Sequence, residues 1–579
     1  MRTGPRHMDQ AALHLGNRLY RSDCKIVLDR LRKEGVLVDL IYLDPPFNSN
    51  RTYSMIFNYR GVTAQTRAFD DMWDYTDSTR QLVLDFRDEL EMWDLSEAFK
   101  EFMRVWIRIL EGGTSDDRKL LNYLMYMTQR LVRCRNILHP TGSIYLHCDA
   151  TASHYLKVVM DGVFGRRNFQ NEITWHRTRG KGLNPRRYLQ NCDRLLFYTA
   201  GGRHTWNQQF QPFEPGYGEG WDSDEHGPWD KADLTGGKAG GPAAYKPFKG
   251  VEPAAGRAWA PPVREKFPPA LQERLPDDYE MLDALEKCHA LDEAGLIYWP
   301  SRDGGKPRYK KYLSTLRGRY ASDLFHDIMP IAAHANERRG YKTQKPLKLL
   351  DRIIRASSNP GDLVLDPFCG CGTTIEAAER LGRRWIGVDI SGDAVDEIKL
   401  RMEERGIYEA RHYEVLEGSP DTMAEYQRLN PFEKQDWLIR RVGGFPNPRK
   451  SGDEGVDGDM KFHMGTKNGR DKWGRLVFSV KTGKQKHPAH VRELRGTMQN
   501  EKAQIGVLIL DGDPTPAMEA AADKAGGFSY QQREDLPPKE YARLQIVTAH
   551  EIIDGAKVDC PPTMQEVRRF RRSQTSLQI

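Results

Sequence analysis

The chain has no cysteine pair spaced C-x-x-C. Of its eight cysteines only Cys369 and Cys371 lie close together. That spacing supports neither a zinc site nor a disulfide framework, and a reducing cytoplasm is the expected setting. Long apolar runs are also missing. The longest are strand-length, well short of the roughly 20 residues that span a bilayer. The N-terminal Met1-Arg2-Thr3-Gly4-Pro5-Arg6-His7 has no apolar core, so no signal peptide is expected. Nor is there a strong charge of one sign. A net charge of +6 over 579 residues permits nucleic-acid binding without demanding it. What the chain does have is 39% hydrophobic and 10% aromatic residues, the balance of a folded protein. At ~150 residues per domain, its length predicts three or four units.

One stretch organises the rest. Val38-Asp39-Leu40-Ile41-Tyr42-Leu43 is an apolar run fit for a buried strand, and Asp44-Pro45-Pro46-Phe47 ends it. Proline lacks an amide donor and holds its predecessor extended, so the strand stops there. The turn presents a carboxylate (Asp44), a carbonyl (Pro45) and an aromatic face (Phe47) at the strand's C-terminal edge. Open α/β sheets bind their ligands at that edge. Two acceptors beside a ring suit an amino group on a flat base.

Before this run, residues 19–34 look helical after Ser22-Asp23. Residues 50–140 read as mostly helical, with 85–110 and 120–138 the clearest runs. Strands are predicted over 142–147, 171–175 and 193–199, and a helix over 153–164. Residues 200–300 are dense in glycine and proline and weakly periodic, with one helical piece near 279–290. They read as an irregular insert that carries recognition, or as a spacer. Basic residues cluster at Arg177, Arg179, Lys181, Arg186 and Arg187, at Lys306, Arg308, Lys310 and Lys311, and at Arg568, Arg569, Arg571 and Arg572. Tyr188, Tyr309 and Tyr312 interleave the first two clusters. That mixture suits a phosphate backbone and its bases, although a solvated surface gives the same pattern.

Regular structure resumes at Thr343-Gln344-Lys345-Pro346. A helix is predicted over 347–356, a strand over 362–366, a glycine loop from Asp366-Pro367-Phe368 through Gly370 and Gly372 to Thr373, a helix over 373–381 and a strand ending at Asp389. Gly370 and Gly372 lack Cβ atoms, so a ligand can approach the backbone. The helix N-terminus suits a carboxylate. Asp389 is positioned to accept from two ribose hydroxyls. A nucleoside bearing a carboxylate and an amine, such as S-adenosylmethionine, fits that description. A dinucleotide is the rival, but its Gly-x-Gly-x-x-Gly is missing.

Together, Asp44-Pro45-Pro46-Phe47 and the later glycine loop resemble the β-class site-specific DNA methyltransferases. In that class the catalytic motif precedes the cofactor loop and target recognition lies between them. The resemblance spans about residues 15–410. It implies a Rossmann-like α/β fold with a catalytic part over 1–200, a target-recognition insert over 201–335 and a cofactor part over 336–410. It implies catalysis by Asp44, Pro45, Pro46 and Phe47. S-adenosylmethionine would be held by Thr343, Gln344, Lys345, Pro346, Asp366, Pro367, Phe368, Gly370, Gly372, Thr373 and Asp389. Double-stranded DNA is the implied partner, as a monomer or homodimer, with the target base flipped out. Adenine N6 is the expected acceptor. Enzymes acting on cytosine N4, the close alternative, more often carry Ser in place of Asp44.

After a linker over 411–429, residues 430–560 read as a smaller α/β domain, followed by a basic tail over 561–579. Gly455-Val456-Asp457-Gly458 and a strand ending at Lys481 resemble the Mrr-like PD-(D/E)xK restriction endonucleases. The resemblance implies that Asp457 binds Mg²⁺ and that Lys481 polarises water or phosphate. Glu433 is a candidate second acid. Ser479 departs from the pattern, because a neutral hydroxyl is a weaker Mg²⁺ ligand than a carboxylate. A bifunctional enzyme that cleaves DNA and a domain that only binds it both remain open.

Overall fold

The computed structural model describes residues 16–567, apart from 47–50, 60–61, 72–76, 179–185, 187, 238–240, 302–304, 333–334, 336, 340, 342, 419, 421, 428, 430, 448–454, 468–469, 484–485, 532–536 and 564–565. Phe47, Arg179, Lys181, Arg187 and the four arginines of the tail therefore lie outside the described residues.

Nine strands form the central sheet. They are β1 (Asn17–Arg21), β2 (Val38–Leu43), β3 (Leu138–Cys148), β4 (Phe169–His176), β5 (Cys192–Thr199), β6 (Leu324–Phe325), β7 (Leu363–Asp366), β8 (Arg384–Asp389) and β9 (Tyr413–Glu417). Their order is β6-β4-β5-β3-β2-β7-β8-β1-β9. Neighbours are parallel, except that β5 runs against β3 and β4. Side chains alternate faces along a strand. Ile41 and Leu43 of β2 therefore pack into one core with helices Cys24–Lys33 and Ser115–Ile137. Leu40 and Tyr42 pack into another with helices Leu347–Ser357, Thr373–Arg380 and Gly392–Glu403. Helices on both faces leave the strand ends as the accessible edge. The α/β fold expected for the methyltransferase part is the fold observed.

The N-terminal reading differs in three places. Residues 19–21 belong to β1, and the helix begins only at Cys24, where Asp23 caps it by accepting from the Lys25 amide at 2.7 Å. Residues 51–71, read as helical, are an antiparallel hairpin of Arg51–Tyr59 and Val62–Asp71. The run over 85–110 is two helices, Asp77–Met92 and Glu97–Glu111, and the second is capped by Ser96.

Residues Gln208–Ala321 form a compact unit of their own. Its sheet orders Ile297–Tyr298, Arg308–Tyr312, Gly227–Asp233 and Asp222–Asp224. Trp229, Phe248, Trp259, Phe267, Leu291 and Tyr312 fill its core. Glycine and proline density hid this unit, because its strands are short and its core is built from scattered aromatics.

A second sheet follows helix Pro431–Arg441. Its strands are β10 (Phe445–Pro446), β11 (Gly458–Lys467), β12 (Arg470–Lys481), β13 (Ile505–Leu510) and β14 (Leu544–Thr548), in that spatial order. The first two pairings are antiparallel and the last two parallel. The small C-terminal α/β domain is thus present.

Candidate active site

β2, β7 and β8 are adjacent and parallel, so their C-terminal ends meet at one edge. Each run leads to a carboxylate: Asp44 directly after β2, Asp366 ending β7 and Asp389 ending β8. Pro45 and Pro367 stop the first two strands at that point.

Asp366 is buried, and burial together with repulsion from Asp44 and Asp389 pushes its carboxyl up to about 7, against hydrogen bonds from the Thr374 side chain and the Phe368 amide. Asp389 is pushed up to about 6 by burial, opposed by the Ser391 and Gly370 amides and by Arg440. Its Oδ2 accepts from the Gly370 amide at 2.8 Å and its Oδ1 from the Ser391 amide at 2.9 Å. Three acids at one edge can hold a cationic ligand and accept from hydroxyl donors.

The glycine loop owes its shape to two constraints. Gly370 and Gly372 adopt φ of +51° and +77°, in the left-handed region that disfavours side chains. A Cβ on Gly372 would lie 2.6 Å from Ile398 Cγ1, so close helix packing, rather than a ligand, excludes one there. A Cβ on Gly370 would meet the Tyr341 ring at 3.7 Å. Thr373 is buried, and its hydroxyl accepts from Arg401 at 3.2 Å. Pro367 is buried, and the half-buried Phe368 ring lies 6.4 Å from Tyr126.

Thr343 to Pro346 belong to a braced strap. Gln344 accepts from the Arg339 amide at 2.7 Å and donates to the Glu337 carbonyl at 2.5 Å. Arg339 is paired in turn with Glu404 at 2.5 Å. Pro346 caps helix Leu347–Ser357. The sequence reading gave this segment to the cofactor, yet Lys345 meets Asp44: its Nζ donates to Oδ1 at 2.6 Å and to Oδ2 at 2.5 Å.

Sequence reasoning also missed a buried chain beside β2. The Tyr42 hydroxyl lies 2.9 Å from His147 Nδ1, and His147 Nε2 lies 3.1 Å from Asp193 Oδ2. Burial pushes the Asp193 carboxyl up, but His147, Lys345 and Arg177 outweigh it and hold the group below the usual carboxylate range. Asp193 is therefore charged and receives the His147 Nε2 proton. The Tyr42 hydroxyl at the other end of the chain is kept protonated by burial and by the nearby Asp44, Asp366 and Asp193. No motif signals this chain, because its members come from three strands.

In the C-terminal domain, Asp457 precedes β11. Its Oδ1 accepts from Gln435 Nε2 at 2.9 Å and its Oδ2 from the Val480 amide at 2.6 Å. Ser479 is buried within β12, Lys481 is half-buried at its end, and Glu433 is exposed on helix Pro431–Arg441. Among the described residues no group of three or more His, Cys, Asp or Glu could hold a metal ion.

Residues 38–400 match the family described as DNA methylase, of the N6/N4 type. The chain belongs to the N6/N4 DNA methylase family. It is 28% identical over 413 residues to the type II methyltransferase M.EcaI of Enterobacter cloacae, covering 69% of this chain and 73% of that protein. It is 23% identical over 363 residues to the Mod subunit of the type III restriction-modification enzyme StyLTI of Salmonella typhimurium, covering 59% of this chain but only 46% of that protein. Among solved structures, the crystal structure of an M1.HpyAVI–SAM complex aligns with 66% of this chain and 98% of its own, at 14% identity and a TM-score of 0.29. Residues 432–554 match a second family, described as NACHT-associated inactive Restriction Endonuclease 1. The C-terminal domain is thus similar to a restriction-endonuclease family described as inactive. Among the described residues no helix is long and apolar enough to cross a membrane.

Proposed function

We propose that this DNA methyltransferase transfers the methyl group of S-adenosylmethionine to N6 of adenine in double-stranded DNA, as the modifying component of a restriction-modification or defence system. The observation that carries the reading is the edge where Asp44, Asp366 and Asp389 end three neighbouring strands. S-adenosylmethionine supplies a methyl group on a sulfonium, a leaving group that departs neutral. The residues present fit it: Asp389 would accept from its ribose hydroxyls and Asp366 would lie toward its cationic end, with the Phe368 and Tyr126 rings beside each other close by.

An exocyclic amine is a poor nucleophile, because its lone pair is delocalised into the ring. The Asp44 carboxylate and the Pro45 carbonyl accept its N–H hydrogens and return electron density to nitrogen. With S-adenosylmethionine bound, the N–C bond would form as the S–C bond breaks, the electron pair would go to sulfur, and the proton that nitrogen loses would pass through the Asp44 carboxylate to water. The protein needs no nucleophile of its own. The target is stacked in the duplex and has to be turned out to reach Asp44. Asp rather than Ser at position 44 favours adenine over cytosine N4. The names of the relatives, a type II methyltransferase and a Mod subunit, support the biological setting.

We read the C-terminal domain as a nuclease fold that does not cut. Ser479 replaces a carboxylate, Asp457 spends its oxygens on protein donors, and the matched family is described as inactive. Incubating the protein with unmodified DNA and S-adenosylmethionine, then analysing the nucleosides by mass spectrometry, tests the main reading. N6-methyladenine is the expected product. N4-methylcytosine alone would overturn the adenine assignment, and no methylated base would overturn the reading as a whole.

A further inference from the structure

The Asp44 carboxylate already carries a donor. Lys345 Nζ reaches both of its oxygens, at 2.6 and 2.5 Å. The two side chains are only 8% and 18% exposed, so water competes weakly for the pair. An ammonium and an exocyclic amine ask the same thing of a carboxylate: an acceptor for N–H. The ammonium already takes an acceptor site on each oxygen, so an amine entering alongside has to share them or displace it.

The strap that carries Lys345 is fixed by Gln344 to Glu337 and by Arg339 to Glu404. The lysine side chain itself is buried, and its Nζ sits between acceptors. A second acceptor, the Thr343 carbonyl, already lies 3.3 Å from Nζ. The buried Asp193 carboxylate also feels the lysine's charge. Nζ therefore has somewhere to go without the strap moving.

We propose that Lys345 is a positioning residue that occupies the amine seat on Asp44 while no base is bound, and that the flipped base enters by displacing it toward the Thr343 carbonyl. The proposal rests on Asp44 being the acceptor for the base amine. Its physical sense is that a carboxylate withdrawn from water is costly unless paired. Lysine pairs it until the substrate arrives. A base that makes too few contacts elsewhere cannot displace the ammonium, so the pair acts on base entry rather than on methyl transfer.

The test uses the full chain and duplex oligonucleotides with 2-aminopurine at the mapped target position, whose fluorescence rises when the base leaves the stack. Lys345→Met removes the competitor and keeps the stem. It should raise the fluorescence at saturating enzyme and lower KM for DNA roughly fivefold, the scale of a partly exposed ion pair. The single-turnover methylation rate and the affinity for S-adenosylmethionine are measured alongside, and the change in KM for DNA should exceed the change in either. Lys345→Arg should behave like wild type. If Lys345→Met does not fold, Lys345→Leu gives the same readout. Unchanged or lower fluorescence, or a collapsed single-turnover rate with unchanged KM, overturns the proposal. Asp44→Ala separates the two levels: full methylation by that variant defeats the Asp44 reading itself, whereas an inactive Asp44→Ala with an unresponsive Lys345→Met defeats only the role of the lysine.

Discussion

The Gly370 amide donates to Asp389 Oδ2 at 2.8 Å, tying the glycine loop to the acid 19 residues further on. The bond fixes one carboxylate oxygen and orients the group that is proposed to meet the ribose. Burial pushes this carboxyl up to about 6, so it titrates close to neutrality. Only the charged form accepts two hydroxyl donors. Affinity for S-adenosylmethionine should therefore fall as pH drops through about 6, by up to tenfold per unit below it. Without ligand the sign reverses. A raised carboxyl contributes stability at low pH that is lost as pH rises through its folded value, so the unliganded protein loses this contribution between about 4 and 6. Asp389→Asn should bind weakly and show a flatter pH profile. Asp366, pushed up to about 7 in part by Asp389, should titrate lower in that variant, so calorimetric titration against pH follows both carboxyls.

Asp44→Ala should abolish methyl transfer and leave the dissociation constant for S-adenosylmethionine within about threefold, less than the loss of one charged hydrogen bond. The cofactor site is assigned to Asp366 and Asp389, on neighbouring strands. Removing Asp44 also breaks its ion pair with Lys345, so a lower melting temperature is expected alongside. A large loss of cofactor affinity in the folded variant would show that Asp44 serves the cofactor rather than the base.

Two kinds of feature divide what the sequence reveals from what it hides. β2, β7 and β8 are continuous apolar runs closed by an acid, and proline follows the first two, so both strand and edge are readable. β1 offers only Leu19 and Tyr20 between polar residues, and β9, at the sheet's edge, alternates Tyr-Glu-Val-Leu-Glu; neither stands out from its surroundings. The hairpin over 51–71 lacks the Asn-Gly or Asp-Gly turn that would announce it. At the site, residues within one motif were legible as candidates. Contacts between motifs were not: Lys345 reaches across 301 residues to Asp44, and no spacing rule joins them.

Supercoiled plasmid incubated with the protein and Mg²⁺ should stay intact. Mg²⁺ asks for charged oxygens, and Ser479 offers a neutral hydroxyl where a second carboxylate is expected beside Asp457. Ser479→Glu supplies that carboxylate, so any Mg²⁺-dependent cleavage should rise in that variant. Lys481→Ala should leave methylation unchanged. Rapid cutting by the wild type, abolished in Lys481→Ala, would restore the bifunctional reading, and gel electrophoresis distinguishes the outcomes.

The C-terminal domain also reaches the cofactor edge. Glu417, at the end of β9, pairs with Arg21 at 2.8 Å and with Arg441 of helix Pro431–Arg441 at 3.1 Å. Arg21 is the ladder partner of Asp389, so the helix end is latched one strand away from that acid. The adjacent Arg440 lowers the Asp389 carboxyl against the upward push of burial. Removing that cation should let burial act with less opposition. In Arg440→Ala the pH at which S-adenosylmethionine binding fails should move upward, and binding near neutrality should weaken while remaining intact at higher pH. Arg440→Lys should restore the wild-type profile, since the effect is one of charge rather than shape. Titration calorimetry across pH reads the midpoint directly. An unmoved midpoint in a folded Arg440→Ala would mean that the nuclease-like domain and the cofactor edge are neighbours without electrostatic influence on each other.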